Sequence, residues 1–163
     1  MSSCCEQPEC AIRTGATICP ASGTKGAPVD LQTVKALLTT AALQRVEPRT
    51  YRFCPDRACD VVYFDDRGHT FSTADLRTRV WHKQPEGDRV LCYCFGENES
   101  DIRAEIAARG YSDAAERVRS HIQAGRCACE IRNPRGACCL GDVTTAVKRL
   151  AAAVARSRAE AAS

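Results

Sequence analysis

Apolar residues recur at helical spacing in several stretches of the chain. Leu31, Val34, Leu37, Leu38, Ala41 and Ala42 form an i, i+3, i+4 stripe behind Asp30, a good N-cap. They predict a helix from about 31 to 45, with Pro48 beyond its end. Ile102 and Ile106 share one face of a second helix, capped by Asn98 or Ser100 and ended by Gly110. A third starts after Ser112, carries Ala115, Val118 and Ile122, and stops at Gly125. A fourth starts near Asp142 with Val143, Val147, Leu150 and Val154 on one stripe. Its Ala-rich, charged tail, 156–163, is expected to fray.

Between the first two helices the pattern changes to short extended runs. Tyr51-Arg52-Phe53 and Val61-Val62-Tyr63-Phe64 read as strands, Asp65-Asp66-Arg67-Gly68 as a turn, and Thr70-Phe71 as the returning strand. Tyr63, Phe64 and Phe71 are expected in the core or on a sheet face. Arg79-Val80-Trp81 predicts a further short strand, and Gln84-Pro85-Glu86-Gly87-Asp88 a linker between two halves. Val90-Leu91-Cys92-Tyr93-Cys94-Phe95 reads as extended, and Cys127 to Cys139 as a loop with Asn133-Pro134-Arg135-Gly136 at its tip. The stretch Met1 to Ala27 has no apolar period and reads as loop. So thin a sheet needs a staple.

Composition narrows the function. The chain has 163 residues, 23 Lys+Arg against 20 Asp+Glu, and a formal charge of +3. That is too mild to predict nucleic-acid binding. No run of apolar residues is long enough for membrane insertion. The N-terminus lacks a basic region followed by an apolar one, so no secretory signal is expected and the location predicted is cytoplasmic. Twelve cysteines in a reducing compartment point to metal rather than disulfides. No nucleotide-binding glycine loop, no HExxH zinc motif and no Ser/His/Asp set is present. His69, His82 and His121 lie in separate elements and read as surface or turn residues, though His82 beside Trp81 could line a cluster-facing surface.

The cysteines fall in local groups: Cys4, Cys5, Cys10 and Cys19; Cys54 and Cys59; Cys92 and Cys94; Cys127 and Cys129; Cys138 and Cys139. Close ligands lose little chain entropy on converging, which is what a metal centre needs. Cys54-x4-Cys59 between two strands makes a knuckle for a tetrahedral zinc, with Cys19 as the natural third ligand. The fourth is open among Cys10, Cys5, Cys4 and a non-Cys group, because the position three after Cys19 is Ser22, a poor zinc ligand. In a strand, Cys92 and Cys94 would share a face and Tyr93 would point away. Two CxC pairs and a Cys-Cys pair exceed the needs of one zinc and suit a [2Fe–2S] cluster, which takes four thiolates. Spacing allows Cys92, Cys94, Cys127 and Cys129, with Cys138 or Cys139 able to replace one. Arg126, Arg132, Arg135 and the N-termini of the helices after Phe95 and Leu140 would favour an anionic, reducible centre.

Val90-Leu91-Cys92-Tyr93-Cys94-Phe95, with Cys129-Glu130-Ile131-Arg132-Asn133-Pro134-Arg135-Gly136-Ala137-Cys138-Cys139-Leu140-Gly141, resembles the iron–sulfur N-terminal domain of CopZ-type copper chaperones. This half is more distantly similar to bacterioferritin-associated ferredoxin. The run Tyr51-Arg52-Phe53-Cys54-x4-Cys59-Asp60-Val61-Val62-Tyr63-Phe64 looks like the zinc half of the same domain, and the resemblance covers about 19 to 150. It implies that Cys92, Cys94, Cys129 and Cys139 hold the cluster, leaving Cys127 and Cys138 as spare thiols, and that Cys19, Cys54 and Cys59 hold zinc. The fourth zinc position of the family falls on Ser22, and the Cys4-Cys5-Cys10 tail, Cys10 first, is expected to compensate. The C-terminal copper carrier of the full-length chaperones, with its M-x-C-x-x-C loop, has no counterpart here, the only methionine being Met1.

The expectation is an α+β metalloprotein: a small zinc-stapled β-rich lobe with one helix at 19–83, then a helical [2Fe–2S]-binding lobe at 88–155, between a flexible tail at 1–18 and a frayed tail at 156–163. The function implied is one-electron redox in copper homeostasis, reducing Cu(II) to Cu(I). The partners implied are copper ions, a copper carrier protein or copper-exporting ATPase, and an electron donor. The alternatives are a general ferredoxin-type electron carrier and a zinc-only interaction module. The spare thiols and the Cys4-Cys5 pair are candidate docking points for a soft metal.

Overall fold

The computed structural model describes residues 16–163; Cys4, Cys5 and Cys10 lie outside the described residues. The first half is a four-stranded antiparallel meander: β1 (Ala27–Val29), β2 (Tyr51–Phe53), β3 (Val61–Asp65) and β4 (Thr70–Ser72), in that spatial order. The sequence pattern identifies the last three. It misses β1, whose residues Ala27, Pro28 and Val29 pair with Phe53, Arg52 and Tyr51. Pro28 is tolerated because β1 is an edge strand.

All five residues of β3 are buried, because both faces of the sheet are covered. On one side Val62 and Tyr63 join Val34, Leu38, Tyr51, Phe53 and Phe71 in the main core. On the other, Val61 and Phe64 pack with Cys19 and Cys54. A register shift between Val61 and Tyr63 re-aims the strand so that it serves both. Phe64 also explains Gly26: a Cβ there would stand 2.5 Å from the ring.

The single helix expected over 31–45 is instead two. Helix α1 (Leu31–Leu37) ends where Leu38 turns extended and forms an isolated bridge with Leu76. Helix α2 (Thr40–Leu43) starts afresh under Thr39, whose side chain accepts from the N–H of Ala42. A bridge to a distant residue overrides a continuous apolar stripe, which records burial but not backbone pairing. Arg79-Val80-Trp81 is not a strand; Trp81–Lys83 form a 3₁₀ turn.

The second half packs α3 (Glu99–Arg109) and α4 (Ala114–Gln123) on the long α6 (Leu140–Ala161), around Leu91, Ile102, Ile106, Val118, Val143 and Leu150. The expected caps hold for α3: Asn98 accepts from the N–H of Asp101, and Gly110 ends the helix with φ 85°. Helix α6 continues to Ala161, through most of the stretch expected to fray. The segment 127–139 is not all loop, since Cys129–Arg132 form a one-turn helix, α5. Among the described residues no helix is long and apolar enough to cross a membrane.

The stretch 84–88 does not hold the halves apart. The Tyr63 hydroxyl donates to the carbonyl of Pro134 at 2.7 Å, and Thr33 donates to the carbonyl of Glu130 at 2.6 Å. Gly136 lies so close to Thr33 that a Cβ would meet its Oγ1 at 2.9 Å. Next to the stretch itself, Arg89 and Glu99 form a buried ion pair, Nη2 to Oε1 2.5 Å, which Arg149 joins from α6.

Candidate functional site

The thiols of the first half arrive on two turns. Cys19 opens a tight turn in which its N–H bonds the carbonyl of Thr24 at 2.8 Å and its carbonyl accepts from Gly23 at 2.9 Å. Cys54 and Cys59 flank the knuckle between β2 and β3, where the Cys54 N–H continues the ladder to Val62. Asp56 braces that knuckle by accepting from the N–H of Ala58. The sulfurs of Cys19, Cys54 and Cys59 all lie within 4.8 Å of one another, Cys19 and Cys54 buried and Cys59 half-buried. A tetrahedral ion with bonds of about 2.3 Å to sulfur needs its sulfurs about 3.8 Å apart, so the set fits zinc after a small contraction.

The charge balance of the bare site also suits a cation. Burial would push the Cys19 thiol up, but hydrogen bonds from the Ser22 hydroxyl and the Ser22 and Ala21 backbone outweigh it and hold the thiol below its usual range. Burial pushes the Cys59 thiol up, and two neighbouring sulfurs add to the shift. Without positive charge, three thiols so close cannot all ionise. Ser22, the residue in place of a fourth cysteine, sits with Oγ 3.5 Å from the Cys54 sulfur. Ser22 thus stands where the cysteine pattern leaves a gap, with its hydroxyl against the Cys54 sulfur. Cys10, the leading fourth ligand by sequence, lies outside the described residues.

The second constellation is built differently. Cys92 to Glu97 is a closed loop rather than a strand: the N–H groups of Leu91 and Cys92 both bond the carbonyl of Glu97, and Gly96, with φ 74°, bonds back to Cys92. The strand-face argument therefore does not explain how Cys92 and Cys94 are aimed. Tyr93 does point away, its hydroxyl donating to the carbonyl of Arg79 and accepting from the N–H of Trp81. Glu97 is locked by a two-point pairing with Arg117, at 2.7 and 2.8 Å. On the other side, Cys129 is the first residue of α5 and Cys139 the N-cap of α6. Asn133, buried between them, donates to the carbonyl of Ala137 and accepts from the N–H of Arg135, which shapes the loop.

This arrangement pairs the thiols. The sulfurs of Cys94 and Cys129 are 3.9 Å apart, and the N–H of Ala128 donates to Cys94 at 3.3 Å. Cys92 and Cys139 share a hydrogen bond that lowers the Cys92 thiol to about 7, helped by the N–H groups of Phe95 and Cys94. The same hydrogen bond, with burial, pushes Cys139 up. Burial raises Cys129 to about 11. Two adjacent pairs, instead of one clump, are what a two-iron centre asks of four thiolates. The Ala128 N–H already donates to one of these sulfurs, as an anionic group on them would require. The donor set therefore fits an anionic iron–sulfur group. Cys127 is half-buried against the same core and Cys138 is exposed. Of the arginines expected to add charge, Arg135 is engaged by Asp142 at 3.0 Å, and Arg126 stands beside His121. His82 does not face solvent as expected of a turn residue: it stacks on Trp81 and meets Phe53 edge-on between the two cores.

An α+β domain with a three-cysteine metal cradle on an antiparallel sheet is the class that these features define. The CopZ zinc-binding domain family, described as a zinc binding domain, matches residues 16–77. The copper chaperone CopZ of Archaeoglobus fulgidus is 31% identical over 122 residues, 74% of this chain and 57% of that protein. The chain thus spans a little over half the length of that relative. The X-ray structure of the N-terminal domain of the same A. fulgidus CopZ superposes with a TM-score of 0.62 at 30% identity, over 75% of this chain and 91% of that one. The chain belongs to the CopZ N-terminal domain family.

Proposed function

We propose that this chain is an iron–sulfur and zinc metalloprotein of copper homeostasis that delivers single electrons to copper. In this reading Cys92, Cys94, Cys129 and Cys139 hold a [2Fe–2S] cluster, and Cys19, Cys54 and Cys59 hold zinc. The pairing of Cys94 with Cys129 and of Cys92 with Cys139 carries it, because four thiols, three of them buried, gathered from a loop and two helix starts have no packing reason to meet. When bound, the cluster supplies one electron, which converts Cu(II) to Cu(I) as the cluster returns to its oxidised state. The rest is the work of the polypeptide. The Ala128 N–H stabilises negative charge on the Cys94 sulfur. Burial of Cys92, Cys129 and Cys139 keeps water from the centre, while half-buried Cys94 leaves an edge toward solvent for electron exchange. The zinc lobe buttresses that site through the Tyr63–Pro134 and Thr33–Glu130 hydrogen bonds. The copper assignment draws on the relative named a copper chaperone. Its acceptor is copper on a carrier or exporting ATPase, the electron donor is a separate protein, and the compartment is a reducing cytoplasm.

The test is anaerobic purification followed by visible spectroscopy and analysis for iron, acid-labile sulfide and zinc. A brown sample that dithionite bleaches, with two irons per chain, is expected. The reduced protein should then turn Cu(II) into Cu(I), read with a Cu(I)-specific chelator. A colourless protein holding zinc alone overturns the redox reading. A bleachable sample that leaves Cu(II) untouched reduces it to general electron transfer.

A further inference from the structure

We propose that the face over Tyr93 docks the electron donor, and that this donor is a small redox protein with an acidic surface around its own centre. This rests on the iron–sulfur reading above and deepens it, by naming the chemistry of the partner and the residues that receive it.

Tyr93 stands between Cys92 and Cys94, two cluster ligands of that reading, and lines two adjoining hollows. The larger, about 660 Å³, runs between α1, the segment after Leu76 and α5; Lys35, Arg77 and Arg132 line it together with Ile131. The smaller, about 390 Å³, continues past Arg79 to Val90. Lys35, Arg77, Arg79 and Arg132 are all exposed. The two linings hold one carboxylate, Asp88, which already accepts from the Ser100 hydroxyl. Four cations to one anion is a local excess, because the whole chain carries 23 basic residues to 20 acidic ones.

These cations stand on fixed backbone. The Arg77 N–H bonds the carbonyl of Leu37 at 2.8 Å, and the Tyr93 hydroxyl donates to the carbonyl of Arg79 at 2.8 Å. The Thr33–Glu130 hydrogen bond ties α1 to α5. Like charges held together in this way repel one another in the free protein, and an anionic partner relieves the repulsion. Ile131 and Val90, 39% and 38% exposed, add apolar contact within the charged groove. An apolar centre within a charged rim suits a protein partner, and transient redox contacts need less than about 1,200 Å².

The place assigns the role. Tyr93 is one residue from both Cys92 and Cys94, and Ile131 is two from Cys129. A cationic groove repels free Cu(II), so this face suits the entry of the electron and not the approach of copper. In the docked complex one electron leaves the partner's reduced centre, which is oxidised, and reduces the cluster. No bond forms or breaks and no proton moves.

The test uses the full cluster-loaded chain with an acidic plant-type ferredoxin as the probe. Fluorescence anisotropy reads binding with both proteins oxidised, and stopped-flow absorbance reads electron transfer from reduced ferredoxin. Affinity and second-order rate are expected to fall about ten-fold or more between about 50 and 500 mM salt. Lys35→Glu with Arg77→Glu, both in the β-rich lobe and neither adjacent to a cluster ligand, should cause the same loss at low salt. Lys148→Glu with Arg156→Glu makes the same change in net charge at exposed positions of α6, and should stay within about two-fold of wild type. The methyl viologen radical, a small cation, should reduce both variants at least as fast as wild type. Equal losses in the two variants would reduce the effect to net charge and overturn the proposal. Binding that ignores salt would overturn it, as would K35E/R77E protein that viologen also reduces slowly. If K35E/R77E slows electron delivery to a copper-loaded carrier but not uptake from ferredoxin, the face belongs to the copper partner and the proposal falls. Protein that contains no iron defeats the cluster reading itself, and shows it before any ferredoxin is added.

Discussion

The two lobes gather sulfur by opposite means. In the β-rich lobe the ligands sit on short turns whose backbones are already tied into the sheet: Cys54 is one residue beyond β2, and Cys59 lies two before β3. In the helical lobe Cys92 and Cys94 lie in a closed loop, while Cys129 and Cys139 are set ten residues apart at the starts of α5 and α6 and are joined by a loop that Asn133 organises. The first arrangement yields three sulfurs in one clump; the second yields two pairs. The difference teaches that both sets close over long stretches of chain, Cys19 to Cys54 and Cys94 to Cys129 each spanning 35 residues, but that a sheet gathers its sulfurs into one clump while a loop and two helix starts hold theirs in pairs.

The sharpest break of this comparison is to remove one ligand from each side. Cys139→Ala should abolish visible absorption and iron content while zinc stays bound, and Cys54→Ala should lose zinc while iron stays. Cys138→Ala should leave both metals in place, since its side chain is exposed rather than paired. Metal analysis after gel filtration decides the matter. Loss of the cluster from C138A but not C139A would put the ligand one residue away from where the Cys92–Cys139 hydrogen bond places it.

A smaller effect is expected within the helical lobe, beside the stretch that leads into it. Glu99 is 0% exposed and Arg89 3%, and each satisfies the other, with Arg149 adding a second cation. Glu99→Ala leaves Arg89 buried without its anion and should cost about 3–5 kcal/mol, which at this length is roughly 10 °C in Tm. Burial by itself would raise the Glu99 carboxyl, but the hydrogen bonds and charge of Arg89, the Gly87 N–H and Arg149 hold it at about 2. A depressed carboxyl stabilises the fold above its ordinary range near pH 4.3, and that contribution is lost as the pH falls toward about 2. Thermal melts of wild type and Glu99→Gln should therefore converge on acidification below about pH 5. Parallel curves would show that the pairing contributes nothing to acid sensitivity.

Most of the sheet was legible because its strands carry dense β-branched and aromatic runs bounded by turn residues, as in Val61 to Phe64 before Asp65–Gly68. Three residues of β1 escaped notice because Ala27-Pro28-Val29 has neither length nor alternation. The same limit explains the broken helix at Leu38, whose apolar side chain fits a helical stripe equally well when its backbone pairs with Leu76. Candidate ligands could be named from spacing and resemblance, but their aim could not. The loop of Cys92 and Cys94 is closed by two hydrogen bonds, from the N–H groups of Leu91 and Cys92 to the carbonyl of Glu97, whose side chain is pinned by Arg117 twenty residues on, and no local pattern records that. Ser22 is visible as a gap in a cysteine pattern; its contact with the Cys54 sulfur requires the fold.

The finest probe of the comparison is Tyr63→Phe. Tyr63 lies in the core of the sheet, packs edge-on against Phe53, and sends its hydroxyl across to the Pro134 carbonyl in the loop between Cys129 and Cys139. Its ring belongs to one lobe and its one polar atom to the other. Deleting that atom preserves the packing and leaves a buried carbonyl unpaired, a loss of about 1–2 kcal/mol. If the lobes only share a boundary, the cost should appear as a modest fall in Tm with the visible spectrum and cluster lifetime in air unchanged. If the sheet holds the cluster loop in place, as the 2.7 Å hydrogen bond indicates, the cluster of Tyr63→Phe should bleach in air several-fold faster than wild type while zinc content stays the same. The second outcome is expected, because Pro134 is one residue from Asn133, which sets the loop, and five from both Cys129 and Cys139. An unchanged bleaching rate beside a lowered Tm would make the two lobes independent metal sites on one scaffold.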